Sequence, residues 1–163
     1  MDNIQYWISN KYVWIPFYLL LIIGILYHYK KKSIIILILL AGLITVSDQT
    51  SQIFKYGVSR YRPCRTESFH KPKPHIVKNH CGGKFSFYSA HASNSFAIAL
   101  FFGLLLKPIL RRSKSYLIIW ATVVAYSRIY LGVHYPSDII FGSFVGSLYG
   151  WSFYKIFIFI NVK

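Results

Sequence analysis

Acidic side chains are scarce in this sequence. Four Asp and Glu residues stand against 19 Lys and Arg among 163 residues, which gives a formal net charge of +15. Charged residues of both signs make up 14% of the chain, whereas a soluble domain carries about 25%. The shortage argues against an ordinary soluble domain. The sign of the imbalance is typical of proteins that bind nucleic acid, an anionic membrane surface or an anionic substrate.

Polar surface is also in short supply, because 55% of the residues are hydrophobic and 19% are aromatic. A nucleic-acid-binding domain spreads basic residues over a polar face, but here they form clusters between long apolar runs. We therefore expect no nucleic-acid partner. The pattern of a signal peptide is missing as well, since no Lys or Arg precedes Lys11 and no small-residue cleavage site precedes the first apolar run. Membrane insertion is then expected to use the first span.

Cysteine is limited to Cys64 and Cys81, both in the segment between the second and third apolar runs. In an oxidising compartment the two can form a disulfide that ties this segment. Free thiols are one alternative. The other is a metal site, although the spacing matches no familiar ligand pattern; it would use His70, His75 or His80.

Apolar runs of roughly the length that crosses a bilayer occur five times. They predict an all-α integral membrane bundle of about five transmembrane helices that forms a single domain, residues 1–163. The runs are about Tyr12–Tyr29, Ser33–Phe54, Ser89–Leu106, Ser115–Leu131 and Ser137–Ile160. The segment Asp2–Ser9 is either a short helix in the membrane interface or a frayed terminus. Glycines at every fourth position, Gly142, Gly146 and Gly150, predict close helix packing within the chain rather than a dimer interface.

Two short connections between spans are basic and predict the orientation. They are Tyr29–Lys32 and Lys107–Lys114, and the positive-inside rule places both in the cytoplasm. By alternation, the N-terminus and the segment of about 55–88 lie outside and the C-terminus lies inside. The outer segment is itself strongly basic, which indicates that its charge holds an anion.

Three clusters of reactive or charged residues fall at span ends that this topology places on one membrane face. The first is Lys55 with Arg62 and Pro63, the second is Tyr88, Ser89, Ala90 and His91, and the third is Ser127, Arg128, His134 and Asp138. Because the ends share a face, the clusters can converge into one site.

Phosphoryl transfer to a protein nucleophile needs the residue types found in these clusters. A nucleophile needs a free lone pair and an orienting group, and His134 and Asp138 share a helical face four residues apart. Positive charge for phosphate oxygens is offered by Lys55, Arg62 and Arg128. Further candidates are the Ser89 hydroxyl, the backbone N–H groups near Ala90 at a helix start, and His91 as general acid.

Plainer interpretations of individual residues remain open. His134 and Asp138 alone can be a structural pair, and Arg60 and Arg65 can extend towards lipid headgroups. Asp48 lies within the second span, where an acid suggests function. The favoured interpretation is a polar contact between helices with Ser47, Thr50 or Gln52.

The ordered motifs resemble the type 2 phosphatidic acid phosphatases. That family's signature is Lys-x6-Arg-Pro, Pro-Ser-Gly-His and Ser-Arg-x5-His-x3-Asp. The first part is complete from Lys55 to Pro63 and the third from Ser127 to Asp138, whereas Tyr88 and Ala90 replace the Pro and Gly of the middle part. The resemblance covers about half of the chain, and the five predicted spans are one fewer than the six that are common in the family.

The resemblance implies a role for each matching residue. His134 would become phosphorylated with Asp138 as its partner, and His91 would protonate the leaving group and later activate water. The phosphate would be bound by Lys55, Arg62, Ser89, Ala90 and Arg128. Family members need no metal, and no cofactor is expected.

The resemblance also implies a substrate and a location. The substrate would be a lipid mono- or diphosphate in the bilayer of a bacterial inner membrane, with the multi-pass protein presenting its site to the periplasm or outside. Undecaprenyl diphosphate is the first choice, and lipid A and phosphatidylglycerophosphate are the alternatives. A non-catalytic protein that binds anionic lipid is the alternative of another class. The sequence does not predict the oligomeric state.

Overall fold

The computed structural model of the protein describes residues 1–66, 75–78 and 81–162, with side chains described through residue 160. These residues form an all-helical bundle and contain no β-strand, apart from an isolated bridge between Tyr61 and Phe85. The helices are α1 Asp2–Ser9, α2 Ile15–Tyr29, α3 Ser33–Val58, α4 Ala90–Leu105, α5 Ser113–Tyr130 and α6 Pro136–Val162. The predicted fold class is confirmed, because α2 to α6 coincide with the five apolar runs within a few residues.

Local chemistry sets the helix boundaries. Pro16 lies in the first turn of α2, where its missing N–H costs no hydrogen bond. A 3₁₀ turn, Lys30–Lys32, joins α2 to α3. Helix α3 ends where Ser59 adopts a left-handed conformation with φ of 52°, as is common just past the end of a helix.

Two helical stretches in the described part of the chain are long and apolar enough to cross a membrane, Lys11–Val58 and Pro136–Ile160. Helix α4 is apolar but shorter. Many large apolar side chains face outward, including Leu20 at 68% exposure and Ile140 at 71%. Apolar exposure on this scale is unfavourable in water but suits contact with lipid tails.

Helix α4 lies at the centre of the bundle and packs against α3, α5 and α6. The predicted glycine stripe lies at its contact with α6. A Cβ atom added at Gly142 would lie 2.7 Å from the Ser89 carbonyl oxygen, and one at Gly150 would lie 2.5 Å from that of Ala97. The stripe therefore serves packing within the chain, as expected. Nearby, Ser47 of α3 hydrogen-bonds Ser93 of α4 at 2.7 Å between their hydroxyl oxygens.

The segment Asp2–Ser9 forms a helix and not a frayed terminus. Helix α1 packs against α5. Its first residue, Asp2, accepts hydrogen bonds from Tyr130 Oη at 2.8 Å and lies 3.1 Å from His75 Nε2. At its other end, Trp14 Nε1 donates to the Ile8 carbonyl at 2.7 Å. These contacts hold α1 across the end of the bundle.

Cys64 and Cys81 form a disulfide, in agreement with one of the predicted alternatives. The backbone N–H of Cys64 donates to the Gly132 carbonyl at 3.1 Å, so the bridge also connects to the α5–α6 turn. No group of His, Cys, Asp and Glu suited to a metal occurs among the described residues. Of the histidines in the metal alternative, His75 pairs with Asp2, and His70 and His80 lie outside the described residues.

Candidate active site

A cavity of about 820 Å³ opens between α2, α3, α4 and α5 at the end of the bundle covered by α1. The ends of α3 and α5 and the starts of α4 and α6 meet there, as the alternation of spans predicts. Six of the eight predicted site residues line the cavity: Lys55, Arg62, Ala90, His91, Arg128 and His134. The other two are Ser89 and Asp138, which lie behind its wall.

His134 occupies the short turn between α5 and α6, and Asp138 lies in the first turn of α6. His134 is 3% exposed and Asp138 is fully buried. His134 Nδ1 lies 3.4 Å from one carboxylate oxygen of Asp138, which also accepts the Tyr135 backbone N–H at 3.0 Å. The carboxylate therefore fixes both the ring and the turn that carries it.

The opposite ring nitrogen faces a cation. Arg62 Nη1 lies 3.4 Å from His134 Nε2 and donates to the Val133 carbonyl at 3.2 Å. A guanidinium has no acceptor, so Nε2 presents a lone pair to it and the ring proton belongs on Nδ1, towards Asp138. Burial lowers the pKa of His134 to about 4, while the hydrogen bond that Nδ1 donates to Asp138 opposes this shift. The geometry thus provides a neutral imidazole with its nucleophilic nitrogen beside an arginine.

The arginines of the cavity are poorly satisfied by the protein. Arg62 is 7% exposed, and it forms no ion pair with an acid among the described residues. Burial lowers the pKa of its guanidinium, a penalty that a bound anion would offset. The Nε atoms of Arg62 and Arg128 are buried and have no hydrogen-bond partner in the part of the chain that the structure describes. Buried donors without partners indicate a place for an anionic ligand.

Arg128 contributes from the last turn of α5, and its Nη1 donates to the Ser9 hydroxyl of α1. Lys55 approaches from the last turn of α3. Three cations from three different elements therefore surround the outer end of the cavity. This arrangement can bind several oxygens of one phosphate.

Ser89 has a different position from that expected for a phosphate ligand. It is fully buried at the N-cap of α4, where its hydroxyl accepts the Ala92 N–H at 3.4 Å. It does not line the cavity, and its backbone N–H donates to the Asp138 carbonyl at 3.2 Å. Ser89 thus joins the starts of α4 and α6, whereas Ala90 and His91 line the cavity.

Arg60 is a site residue that the sequence did not assign. Its Nη1 lies 3.1 Å from the second carboxylate oxygen of Asp138 and 2.8 Å from the Ser137 hydroxyl. Its guanidinium stacks 3.8 Å from the centre of the Tyr135 ring. Arg60 therefore holds Asp138 from the side opposite His134 rather than extending towards lipid. Its position two residues before Arg62 was the only available signal.

Asp48 also differs from the favoured interpretation. It lines the cavity, and its carboxylate makes no hydrogen bond with Ser47, Thr50 or Gln52 among the described residues. Ser47 bonds Ser93, and the Thr50 hydroxyl contacts the Val46 carbonyl and Tyr149 instead.

Comparisons with known proteins identify the family of the chain. Residues 31–161 match the family model of the PAP2 superfamily. The chain is 34% identical over 150 residues to a lipid A 4'-phosphatase of Bacteroides thetaiotaomicron, covering 91% of this chain and 66% of the relative. It is 31% identical over 168 residues to a lipid A 4'-phosphatase of Porphyromonas gingivalis, covering 100% of this chain and 69% of the relative. The chain thus spans about two thirds of the length of these curated relatives.

A solved structure has the same fold. The transmembrane PAP2 type phosphatidylglycerolphosphate phosphatase from Bacillus subtilis superposes with a TM-score of 0.71 at 19% identity, covering 95% of this chain and 75% of that protein. That likeness shows a shared fold. The family match and the curated relatives indicate a hydrolase that acts on phosphoester bonds. The chain belongs to the PAP2 superfamily.

Proposed function

We propose that this protein is a membrane phosphatase that hydrolyses a phosphate monoester of a lipid A type of phosphoglycolipid. The reaction passes through a phospho-histidine at His134. The observation that carries the proposal is the orientation of His134, with Nδ1 towards Asp138 and Nε2 towards Arg62. A neutral imidazole held in this way is a nucleophile with its partner already in place.

In the first step, His134 Nε2 attacks phosphorus and the bond from phosphorus to the sugar oxygen breaks. His91 gives its proton to the departing alkoxide, so the lipid leaves as an alcohol. The imidazole becomes cationic, and the Asp138 carboxylate stabilises that charge through Nδ1.

In the second step, water attacks the phosphorus and the bond to Nε2 breaks. His91 takes the proton of the water and is ready to act as an acid again. Lys55, Arg62 and Arg128 neutralise the phosphate oxygens in both steps. Their three charges come from the protein, so the scheme requires no metal.

The substrate in this proposal differs from the first choice made on sequence. No residue of the sequence favours undecaprenyl diphosphate, whereas both curated relatives are named for lipid A. We also propose that the protein crosses a bacterial inner membrane several times and that the site opens on the periplasmic side. The basic connections Tyr29–Lys32 and Lys107–Lys114 support that orientation.

The test is phosphate release by purified protein in detergent containing EDTA. Lipid A, undecaprenyl diphosphate, phosphatidylglycerophosphate and phosphatidic acid are compared as substrates. We expect the highest kcat/KM with lipid A, and no release by His134→Ala. His28→Ala is the control, because His28 lies at the opposite end of α2 and outside the cavity. A higher kcat/KM for another lipid would reject lipid A as the substrate. If His134→Ala released as much phosphate as the wild type, the histidine mechanism would be wrong and a lipid-binding protein would be favoured.

A further inference from the structure

The cavity continues inward from the phosphate-binding cations along two helices. On α3, the lining residues Lys55, Gln52 and Asp48 are separated by three and four residues, so they form one stripe. On α4, Asn94 follows His91 by three residues on the lining face. At 1.5 Å per residue, Asp48 lies about 10 Å along α3 from Lys55. Polar side chains therefore continue for about two helical turns below the site.

The side chains of these inner residues form no hydrogen bond within the described part of the chain, although the charge of Asp48 acts on Lys55. Asn94 Oδ1 is buried without a hydrogen-bond partner among the described residues. The carboxylate of Asp48 and the amide of Gln52 also make no hydrogen bond there, and the Ser51 hydroxyl donates to the backbone carbonyl of Asp48 rather than to its carboxylate. Uncompensated polar groups inside a membrane helix bundle are costly. A ligand that offers hydrogen bonds at this depth would remove the cost.

Still farther inward the lining is mainly apolar, and the one hydroxyl of this part of α3 in the lining, that of Thr45, donates to the Ala41 carbonyl of its own helix. Leu40 and Ile44 continue the α3 side, and Ile98 and Phe102 continue the α4 side. The cavity thus presents three layers in order: cations, neutral and acidic hydrogen-bonding groups, and hydrocarbon. The two inner layers are formed by facing residues of α3 and α4, whereas the cations come from α3, α5 and the loop that carries Arg62.

We propose that Asp48, Gln52 and Asn94, the polar wall of the cavity, bind the hydroxyl and amide groups of the sugar that carries the phosphate and so select glycolipids. The inference rests on the proposed function for the reaction at His134. A phosphoglycolipid has phosphate, sugar and acyl chains in the same order as the three layers. Carboxylates and primary amides are suited to sugars, because they accept hydrogen bonds from hydroxyls and amides also donate them.

Other lipid phosphates fit the polar wall less well. A polyprenyl phosphate places hydrocarbon directly below its phosphate and would leave Gln52 and Asn94 without partners, which costs affinity. A lipid with a second phosphate below the first brings an anion towards the Asp48 carboxylate, which is repulsive. Selection therefore comes both from hydrogen bonds to the sugar and from exclusion of a second anion.

The test compares two substrates on the same protein preparation, so that a loss of folded protein cancels. The quantity measured is the kcat/KM for lipid A divided by that for phosphatidic acid, which has no sugar. Gln52→Met and Asn94→Leu remove the hydrogen bonds with little change of volume, and each should lower this ratio about 10-fold. Thr122→Val on α5 is the control, because Thr122 is exposed, bonds its own helix and lies outside the cavity.

Asp48→Asn tests the charge separately. The amide keeps hydrogen-bonding capacity, so the kcat/KM for a lipid diphosphate should rise at least several-fold relative to that for lipid A. If Gln52→Met and Asn94→Leu lower kcat/KM equally for both substrates, or leave it unchanged, the ratio stays constant and the polar wall does not select glycolipids. The proposed function would be unaffected by that result. Failure of the wild type to cleave lipid A would instead reject the proposed function and, with it, this inference.

Discussion

The two sides of the His134 ring differ in how completely the protein satisfies its polar groups. On the Nδ1 side, Asp138 is contacted by His134, Arg60 and the Tyr135 N–H, so both carboxylate oxygens are used. On the Nε2 side, the guanidinium groups of Arg62 and Arg128 keep buried Nε atoms without partners among the described residues. The first side fixes the nucleophile before substrate arrives, and the second keeps hydrogen-bond donors for the phosphate.

A change on the Nδ1 side of the ring should cause the largest loss of activity. Asp138→Asn replaces an acceptor with a group that can donate, so the ring can turn to the wrong tautomer and the phospho-histidine cation loses its counter-charge. We expect kcat for a soluble phosphate ester to fall by about 1,000-fold or more, as for the corresponding change in other histidine–aspartate pairs. A loss below 10-fold in folded protein would mean that Asp138 is only a structural partner.

A change on the Nε2 side of the ring should cause the next largest loss of activity. Arg62→Lys keeps the positive charge but removes the planar fork that can bind two phosphate oxygens, and we expect kcat/KM to fall by about 100-fold. Arg65→Lys is a matched control, because Arg65 is exposed, contacts the Gly82 carbonyl and does not line the cavity. Similar losses in both variants would show that the effect comes from the loop and not from phosphate binding.

Arg60 connects to the reaction only through Asp138 and should have a smaller effect. Its side chain is 38% exposed, so solvent screens its charge. We expect Arg60→Met to lower kcat about 10-fold with little change in KM, and Arg60→Lys to restore part of the loss. A rise in KM without a change in kcat would show instead that Arg60 binds substrate directly.

The smallest change is expected in the protonation of His134 between pH 5 and 7. Because burial lowers its pKa to about 4, the ring should stay neutral and nucleophilic in this range and become protonated only as the pH falls through about 4. Nitrogen NMR of histidine-labelled protein, with the signal assigned by its loss in His134→Ala, measures the midpoint. A midpoint at or above the ordinary value of 6.5 would contradict the proposed environment of the ring.

Much of the fold and part of the site geometry could be predicted because their signals are local. Apolar runs mark the spans, and the alternation of spans places three motifs at one end of the bundle. The spacing of His134 and Asp138 by one helical turn predicts that they share a face. The contact of Arg60 with Asp138 has no local signal, since 78 positions separate the two residues.

Other features depend on which atoms face the cavity, and a pattern of residue types does not specify this. Ser89 matches the family motif, yet its hydroxyl caps α4 and its side chain does not reach the cavity. Asp48 has polar neighbours in sequence, yet it lies on the face of α3 that lines the cavity. Its neighbour Ser47 lies on the face that contacts α4. The substrate selection that we propose rests on this lining, which the composition of the spans does not specify.

Direct detection of the phosphorylated residue tests the central role of His134. The experiment uses His91→Ala with radiolabelled p-nitrophenyl phosphate, whose leaving group needs no proton from His91, so the first step proceeds while activation of water is lost. We predict label that accumulates on the protein, survives alkali, is lost in acid and maps to His134. Release of p-nitrophenol without label, or label that persists when His134→Ala is added, would contradict the account.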